Sequence, residues 1–398
     1  MKILIADKLS AKTVSELENL GAQVIVKPEL TADDLAPVLG DVEILIVRST
    51  KVKAAAIEAA PCLSLIIRAG AGVNTIDLGC ASSKGIYVAN CPGKNTDAVA
   101  ELVMGLLIAS DRRIVNASSD MRSGVWNKKE YGKANGLKGR TLGIIGVGAI
   151  GKAVIKRAKG LEMNVIAWSR SLTEEKADGL EIGCCASAQE VAEQSDAVSI
   201  HLAANSETKH FIGKDLLGCM KDGAIFINTS RGEVVDTEAL KEVIKQKHLR
   251  VGLDVYEAEP SAGAKVFDDK ELAEMITGTP HIGASTNQAA EAVADEVAKI
   301  IRAYKNTGSP INAVNIQEKS LAQCDLIVRH YNRVGVMAGV LDELRNEGIN
   351  VEEMENIIFT GQTAAHCTLK LDSEPPKGLV SRIESDDNIV QVILNQSN

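Results

Sequence analysis

At 398 residues, with 45% hydrophobic and 24% charged residues, the chain has the balance of an ordinary globular protein and room for two or three domains. A net charge of −9 excludes the basic surface that nucleic-acid binding requires. No apolar run approaches a membrane span and the opening Met1-Lys2-Ile3-Leu4-Ile5 is too short for a signal peptide, so a cytoplasmic protein away from membranes is expected.

The N-terminal segment alternates strand and helix. Strands are predicted over Lys2–Ala6, Gln23–Val26, Ile44–Val47 and Leu65–Ile67. Helices are predicted over Ala11–Asn19, Ala54–Ala60 (stopped by Pro61) and Thr31–Leu39, the last with Thr31 as N-cap and Asp33 and Asp34 in its first turn. Such alternation implies a parallel sheet, with ligands held beyond the carboxyl ends of its strands. Arg48 and Arg68 fall at such ends, Arg68 beside Gly70-Ala71-Gly72. Either arginine alone reads as a solvated charge; the two together point to an anionic ligand. The run Ala98–Arg113 predicts a helix apolar enough to be buried, and it suggests a dimer contact.

Arg140–Gly151 (RTLGIIGVGAIG) follows, and the rest of the chain is organised around it. Leu142, Ile144 and Ile145 suit a buried parallel strand. Gly146, Gly148 and Gly151 then stand as G-x-G-x-x-G, followed by helix formers from Ala149 to Lys159 and a second strand, Val165–Trp168. In this context the three glycines serve a tight turn, close approach to a pyrophosphate and helix–strand packing, and the helix N-terminus attracts the anion. The carboxylate that would hold a ribose 2′-OH is missing. Ser169 and Arg170 stand there instead, which admits NADP as an alternative to NAD.

Further strands are predicted over Ala197–Leu202, Ile225–Asn228 and Val251–Val255, with a helix over Thr237–Lys245. Thr277–Ile282 leads into a long helix from Ser285, its candidate N-cap, to Tyr304. After a linker over Pro310–Ser320, strands at Asp325–His330, Ala365–Leu371 and Ile389–Leu394 and helices at Gly335–Asn346 and near Lys377–Glu384 make a small α+β module. The eight cysteines (62, 80, 91, 184, 185, 219, 324, 367) show no C-x-x-C spacing, which leaves neither a disulfide framework nor a metal site; the Cys184-Cys185 pair reads as incidental.

Three polar residues lie just past strand ends of the second domain: Arg231, Glu259 and His281. Removing hydride from an alcohol needs a base for the hydroxyl proton, which histidine supplies, with a carboxylate to fix its tautomer. An arginine can hold a substrate carboxylate through two hydrogen bonds. Singly, each of the three is ordinary loop chemistry; jointly, on a nucleotide-binding domain, they point to a dehydrogenase.

The segments GVGAIG (146–151), INTSRGEVVD (227–236), GLDVYEAEP (252–260) and TPHIGAST (279–286) resemble the D-isomer-specific 2-hydroxyacid dehydrogenase family. RSTKV (48–52), IIRAGAGVNTID (66–77) and NCPGKNTDAVAE (90–101) extend the likeness over nearly the whole chain. The resemblance implies a Rossmann-type doubly wound sheet (98–285) inserted in a flavodoxin-like α/β substrate domain (1–97 and 286–312). It also implies Arg231 as substrate anchor, Glu259 as partner of the histidine and His281 as acid/base. NAD would meet Gly146, Gly148, Ala149, Ile150, Gly151, Ser169, Arg170, His201, Leu202, Thr229, Ser230, Arg231, His281 and Gly283, with Asp254 on the nicotinamide carboxamide. The substrate would meet Ser49, Gly70, Ala71, Gly72 and Asn95, and its phosphate Arg48 and Arg68. The branch of the family most resembled acts on D-3-phosphoglycerate, at the entry to serine synthesis. A reductase of hydroxypyruvate or glyoxylate and a non-catalytic NAD(H)-sensing protein are the alternatives. Besides Ser169-Arg170, three residues depart from the family pattern: Asn74 for aspartate, and Ala203 and Val334 for proline.

Residues 322–398 resemble an ACT regulatory domain, which implies L-serine as effector at His330, Asn332 and Asn350 and a homodimer or homotetramer. A ligand-free packing or dimerisation module is the alternative.

Overall fold

The computed structural model describes residues 1–260, 264–317 and 320–396, which divide into two compact units, one ending at Asn315 and one beginning at Ile316. In the first unit, β1 (Lys2–Ile5), β2 (Gln23–Val26), β3 (Ile44–Val47), β4 (Leu65–Arg68) and β5 (Tyr87–Asn90) form a parallel sheet in the order β2-β1-β3-β4-β5. All four residues of β3 are buried because both faces of the sheet are covered. Leu4, Leu45 and Ile66 meet Leu35, Leu39 and Ile57 on one face. Ile3, Ile46 and Ile67 meet Val297, Ile300 and Ile301 on the other, so the long helix Asn287–Thr307 returns to this sheet.

The second sheet comprises β6 (Thr141–Ile145), β7 (Asn164–Trp168), β8 (Gly183–Cys184), β9 (Ala197–Ile200), β10 (Ile225–Asn228), β11 (Arg250–Leu253) and β12 (Ile276–Gly278). Its order is β12-β11-β10-β9-β6-β7-β8, with every pairing parallel. Connections run outward in opposite directions from β6 and β9, and a crevice forms at such a reversal. The sequence motif puts the glycine turn there.

Four local expectations are corrected. Residues 31–39 are turns with a single 3₁₀ turn, Ala36–Val38, because Thr31 donates its amide and hydroxyl to Asp34 and Pro37 offers no N–H. Thr286, not Ser285, caps the long helix, accepting from Ala289 N at 3.1 Å. The helix predicted from Ala98 spans Thr96–Arg112 and packs Val103, Leu106 and Leu107 against Leu142, Ile144 and Val154. Intrachain burial thus accounts for its apolar character, which gives no separate sign of a dimer contact. Helix Ile114–Arg122, which the sequence reading misses, leaves Ile114, Val115 and Met121 exposed, and Val125 and Trp126 follow it on the surface.

The second unit is an antiparallel sheet in the order β14-β15-β13-β16, built from β13 (Cys324–Tyr331), β14 (Val351–Ile358), β15 (Ala364–Leu371) and β16 (Ile389–Gln396). Helices Val336–Asn346 and Leu379–Glu384 cover one face, where Val340, Leu344, Leu379 and Ile383 meet Leu326, Val328 and Leu369. β14 is absent from the sequence reading because Val-Glu-Glu-Met-Glu carries no core-facing alternation; it is an exposed edge. Among the described residues, no helix is long and apolar enough to cross a membrane.

Candidate active site

The glycine turn sits where β6 ends. Gly146 has φ +101°, donates its amide to Trp168 O at 2.9 Å, and a Cβ on it would lie 2.4 Å from His201 O. A Cβ on Gly151 would lie 2.3 Å from Gly146 O, so the helix Ala149–Gly160 abuts the turn. Gly148 differs, since a Cβ there would meet nothing within 4 Å. It caps the helix with no side-chain partner, so the exposed backbone at Gly148 and Ala149 offers uncapped amides. Two glycines are required by the protein's own packing, and the third keeps a surface clear. That cradle fits the pyrophosphate of a dinucleotide.

Around it, Asn228 at the end of β10 accepts from Ser230 N (2.9 Å) and Ser230 Oγ (2.7 Å) and donates to Arg231 O (2.9 Å). It thereby shapes the loop that carries Thr229, Ser230 and Arg231, a role the sequence reading misses. Thr229 Oγ1 is buried with no partner among the described residues, as a hydroxyl reserved for a ligand would be. His201 bonds Ser199 Oγ at 3.0 Å, and burial pushes its imidazole down to about 4, so it stays neutral at pH 7. Beyond β7, Arg170 does not stand free: its guanidinium pairs with Glu207.

The acid–base pair assembles past the ends of β11 and β12. His281 Nδ1 lies 2.5 Å from Glu259 Oε1, although the residues are 22 apart in sequence. His281 has φ +52°, a left-handed conformation unfavourable for a side-chain-bearing residue. Asp254 holds it. This carboxylate, 1% exposed, accepts from Thr279 Oγ1 (2.6 Å) and Ile282 N (2.8 Å) through Oδ1 and from Gly283 N (2.8 Å) through Oδ2. Asp254, expected at the nicotinamide carboxamide, is thus seen to brace the segment that presents the histidine. Tyr256 adds to the brace, donating its hydroxyl to Thr279 O at 3.0 Å.

Arg231 reaches the first sheet's loop. Its Nη1 donates to Ser230 O at 2.6 Å, and a Cβ on Gly72 would stand 2.5 Å from its Nη2. A side chain there would push the Arg231 guanidinium out of this position. Arg68 folds over Gly70 in the same way and donates Nε to Arg48 O at 3.1 Å. Burial, then the neighbouring Arg231 and Arg48, pull the Arg68 guanidinium below arginine's usual range. Arg48, Arg68, Gly70 and Asn95 line one cavity with Lys8 and Ser10, two residues the sequence reading does not select. Ser49 contributes no free amide, because Asp7 Oδ2 accepts from the amides of Arg48 (2.6 Å), Ser49 (3.0 Å) and Thr50 (3.0 Å). The Gly70–Gly72 backbone is pinned by Cys91 N on Gly70 O (2.9 Å) and Asn90 Nδ2 on Ala71 O (2.5 Å). Among the described residues, no histidine, cysteine and carboxylate group is placed to hold a metal.

In the second unit, His330 is buried, with Nδ1 2.8 Å from Tyr331 O and Nε2 3.3 Å from Asn356 Oδ1, and Asn332 donates to Gln362 O at 3.0 Å. Asn350 is not with them. The pairings Ile358–Ala365–His330 and Val351–Leu371–Cys324 put it at the far end of the sheet, about 23 Å away at strand rise. There it donates to Glu352.

Residues 104–283 match the model of the D-isomer specific 2-hydroxyacid dehydrogenase NAD binding domain. The chain is 34% identical over 390 residues to the D-3-phosphoglycerate dehydrogenase of Methanocaldococcus jannaschii, covering 96% of this chain and 72% of that one. It is 41% identical over 303 residues to the glyoxylate reductase of Thermococcus litoralis, covering 72% of this chain and 90% of that one. Among solved structures, the NAD⁺-bound 3-phosphoglycerate dehydrogenase of Entamoeba histolytica superposes with a TM-score of 0.67 at 29% identity, over 79% of this chain and 99% of that one.

Proposed function

The chain belongs to the D-isomer-specific 2-hydroxyacid dehydrogenases, NAD-dependent oxidoreductases, and from that premise we propose that it oxidises D-3-phosphoglycerate to 3-phosphohydroxypyruvate. The observation that supports this substrate is the cavity on which Lys8, Arg48 and Arg68 converge. Among the described residues, no carboxylate lies within ion-pair distance of these three cations. A phosphate dianion would match them, whereas an unphosphorylated acid would leave them with only the more distant Asp7 as counter-charge.

The nicotinamide cofactor supplies the hydride acceptor. Its pyrophosphate would rest on the amides at Gly148 and Ala149. Arg231 and the Gly70–Gly72 backbone hold the substrate carboxylate and fix C2. Nε2 of His281 takes the C2 hydroxyl proton as the hydride leaves C2, so the alcohol becomes a ketone. Glu259 keeps the ring oriented and balances the charge it acquires.

A second reading, reduction of glyoxylate or hydroxypyruvate, is favoured by the 41% identity to the Thermococcus litoralis enzyme. Initial rates on D-3-phosphoglycerate and D-glycerate, and in reverse on glyoxylate and hydroxypyruvate, separate the two. Phosphoglycerate should win by at least tenfold in kcat/KM, and Arg68→Ala should erase that preference while sparing glycerate. Equal rates on glycerate and phosphoglycerate would exclude the phosphorylated substrate.

Regulation by L-serine through the second unit is a further part of the proposal. His330 and Asn332 lie so far from Asn350 that one serine could meet both groups only if two copies supply them. This agrees with a homodimer or homotetramer, as do the exposed Val115, Met121 and Trp126 of the first unit. Sedimentation with and without serine tests both.

A further inference from the structure

Two loops flank the glycine turn. Ser169 and Arg170 follow β7, Glu207 lies in the loop after β9, and β6 runs between those two strands. The Arg170–Glu207 ion pair therefore joins one side of the crevice to the other beyond the end of β6. We propose that Glu207 sets the choice between NAD and NADP: its carboxylate holds the Arg170 Nη1 donor that a ribose 2′-phosphate would also seek.

The argument starts from what is absent after β7. With serine at 169, no carboxylate on that loop claims the ribose diol or repels a phosphate. Discrimination then falls to Arg170 and to the anion that holds it. Glu207 Oε2 accepts from Nη1 of Arg170, so a phosphate taking that nitrogen must displace the carboxylate, and one taking the remaining N–H donors lies beside its like charge. Glu207 is presented by an ordered turn: its own amide and that of Thr208 donate to Asn205 Oδ1 at 2.9 and 3.0 Å, and Thr208 Oγ1 donates to Ala203 O at 2.6 Å. A second cation stands on the Arg170 side, where Lys176 Nζ donates to Ser171 O at 2.9 Å.

The Arg170 and Glu207 side chains are 73% and 69% exposed, so their attraction is weak enough for a dianion to displace. Glu207 thus acts as a mild internal competitor. It penalises NADP, whose 2′-phosphate meets its charge, and leaves NAD untouched.

Isothermal titration of the full chain with NADPH and with NADH, with no substrate and no turnover, tests this. Glu207→Gln keeps the shape of the side chain and should tighten NADPH by about three- to fivefold while changing NADH less than twofold. In an Arg170→Gln background the same substitution should change NADPH binding less than twofold. An unchanged NADPH-to-NADH ratio in Glu207→Gln would overturn the proposal. So would an equal tightening without Arg170, because the effect would then come from the general field of the loop.

Discussion

The Nδ1 of His281 lies 2.5 Å from Oε1 of Glu259. A carboxylate in that position keeps the Nδ1 proton in place and leaves Nε2 as the nitrogen that exchanges a proton with substrate. Replacing His281 by alanine should lower kcat by roughly 10²–10⁴-fold, the range for loss of a positioned general base. NADH affinity should move only a few-fold, since the cradle at Gly148 lies on another strand end. Steady-state rates and an NADH titration on one preparation check both halves. Full activity in His281→Ala would remove the mechanism.

Asp254 carries a separate prediction because its donors hold the backbone that presents His281 in its left-handed conformation. Asp254→Asn keeps the shape but replaces one acceptor oxygen with a donor, stranding at least one buried donor. The expected loss of stability is about 1–3 kcal/mol, read from urea denaturation. Because the histidine would lose its brace, kcat should fall as well, with NADH binding reduced far less than turnover. A cofactor-binding defect equal to the loss in kcat would instead point to direct contact of Asp254 with the nicotinamide carboxamide.

What the residues disclose in advance is the chemistry whose cause is local. Gly146, Gly148 and Gly151 are legible because strand, turn and helix lie within one short segment. Glu259 and His281 are legible as a pair because a parallel sheet sends its strand ends to one side. Asp254 as a brace is not legible, since its three donors sit 25, 28 and 29 residues away. Nothing in the sequence singles out Lys8 or Glu207 until the fold sets one beside Arg48 and Arg68 and the other against Arg170. β14 stays hidden for a different reason: as an exposed edge strand it has no buried face to impose alternation.

His201 makes stability depend on pH. Its imidazole is pushed down to about 4 by burial, whereas an unfolded histidine titrates near 6.5. Between those values the unfolded chain binds a proton that the folded chain refuses. The stabilisation is therefore complete above about pH 6.5 and is lost as pH falls toward 4, by about 3 kcal/mol in all. His201→Asn removes this titration. The stability difference between wild type and variant should thus shrink steadily from pH 7 to pH 4.5 in urea midpoints; a constant difference would show that His201 titrates alike in both states.

The glycine turn separates folding from binding at adjacent positions. Gly148 has φ −78° and open space where a Cβ would go. Gly148→Ala should therefore fold with a melting temperature within a few degrees of wild type, since alanine meets no clash there and its poorer N-capping is offset by the lower entropy of its unfolded chain. Gly146 has φ +101° and a carbonyl 2.4 Å from the would-be Cβ, so Gly146→Ala should lose several degrees and express poorly. NADH affinity should reverse that ranking of innocence. The alanine methyl at 148 projects into the space a pyrophosphate must enter, and binding should weaken at least tenfold in a protein that is otherwise intact. If Gly148→Ala bound NADH as tightly as wild type, the open face at Gly148 would not be the pyrophosphate cradle, and the cofactor would have to lie elsewhere along the crevice.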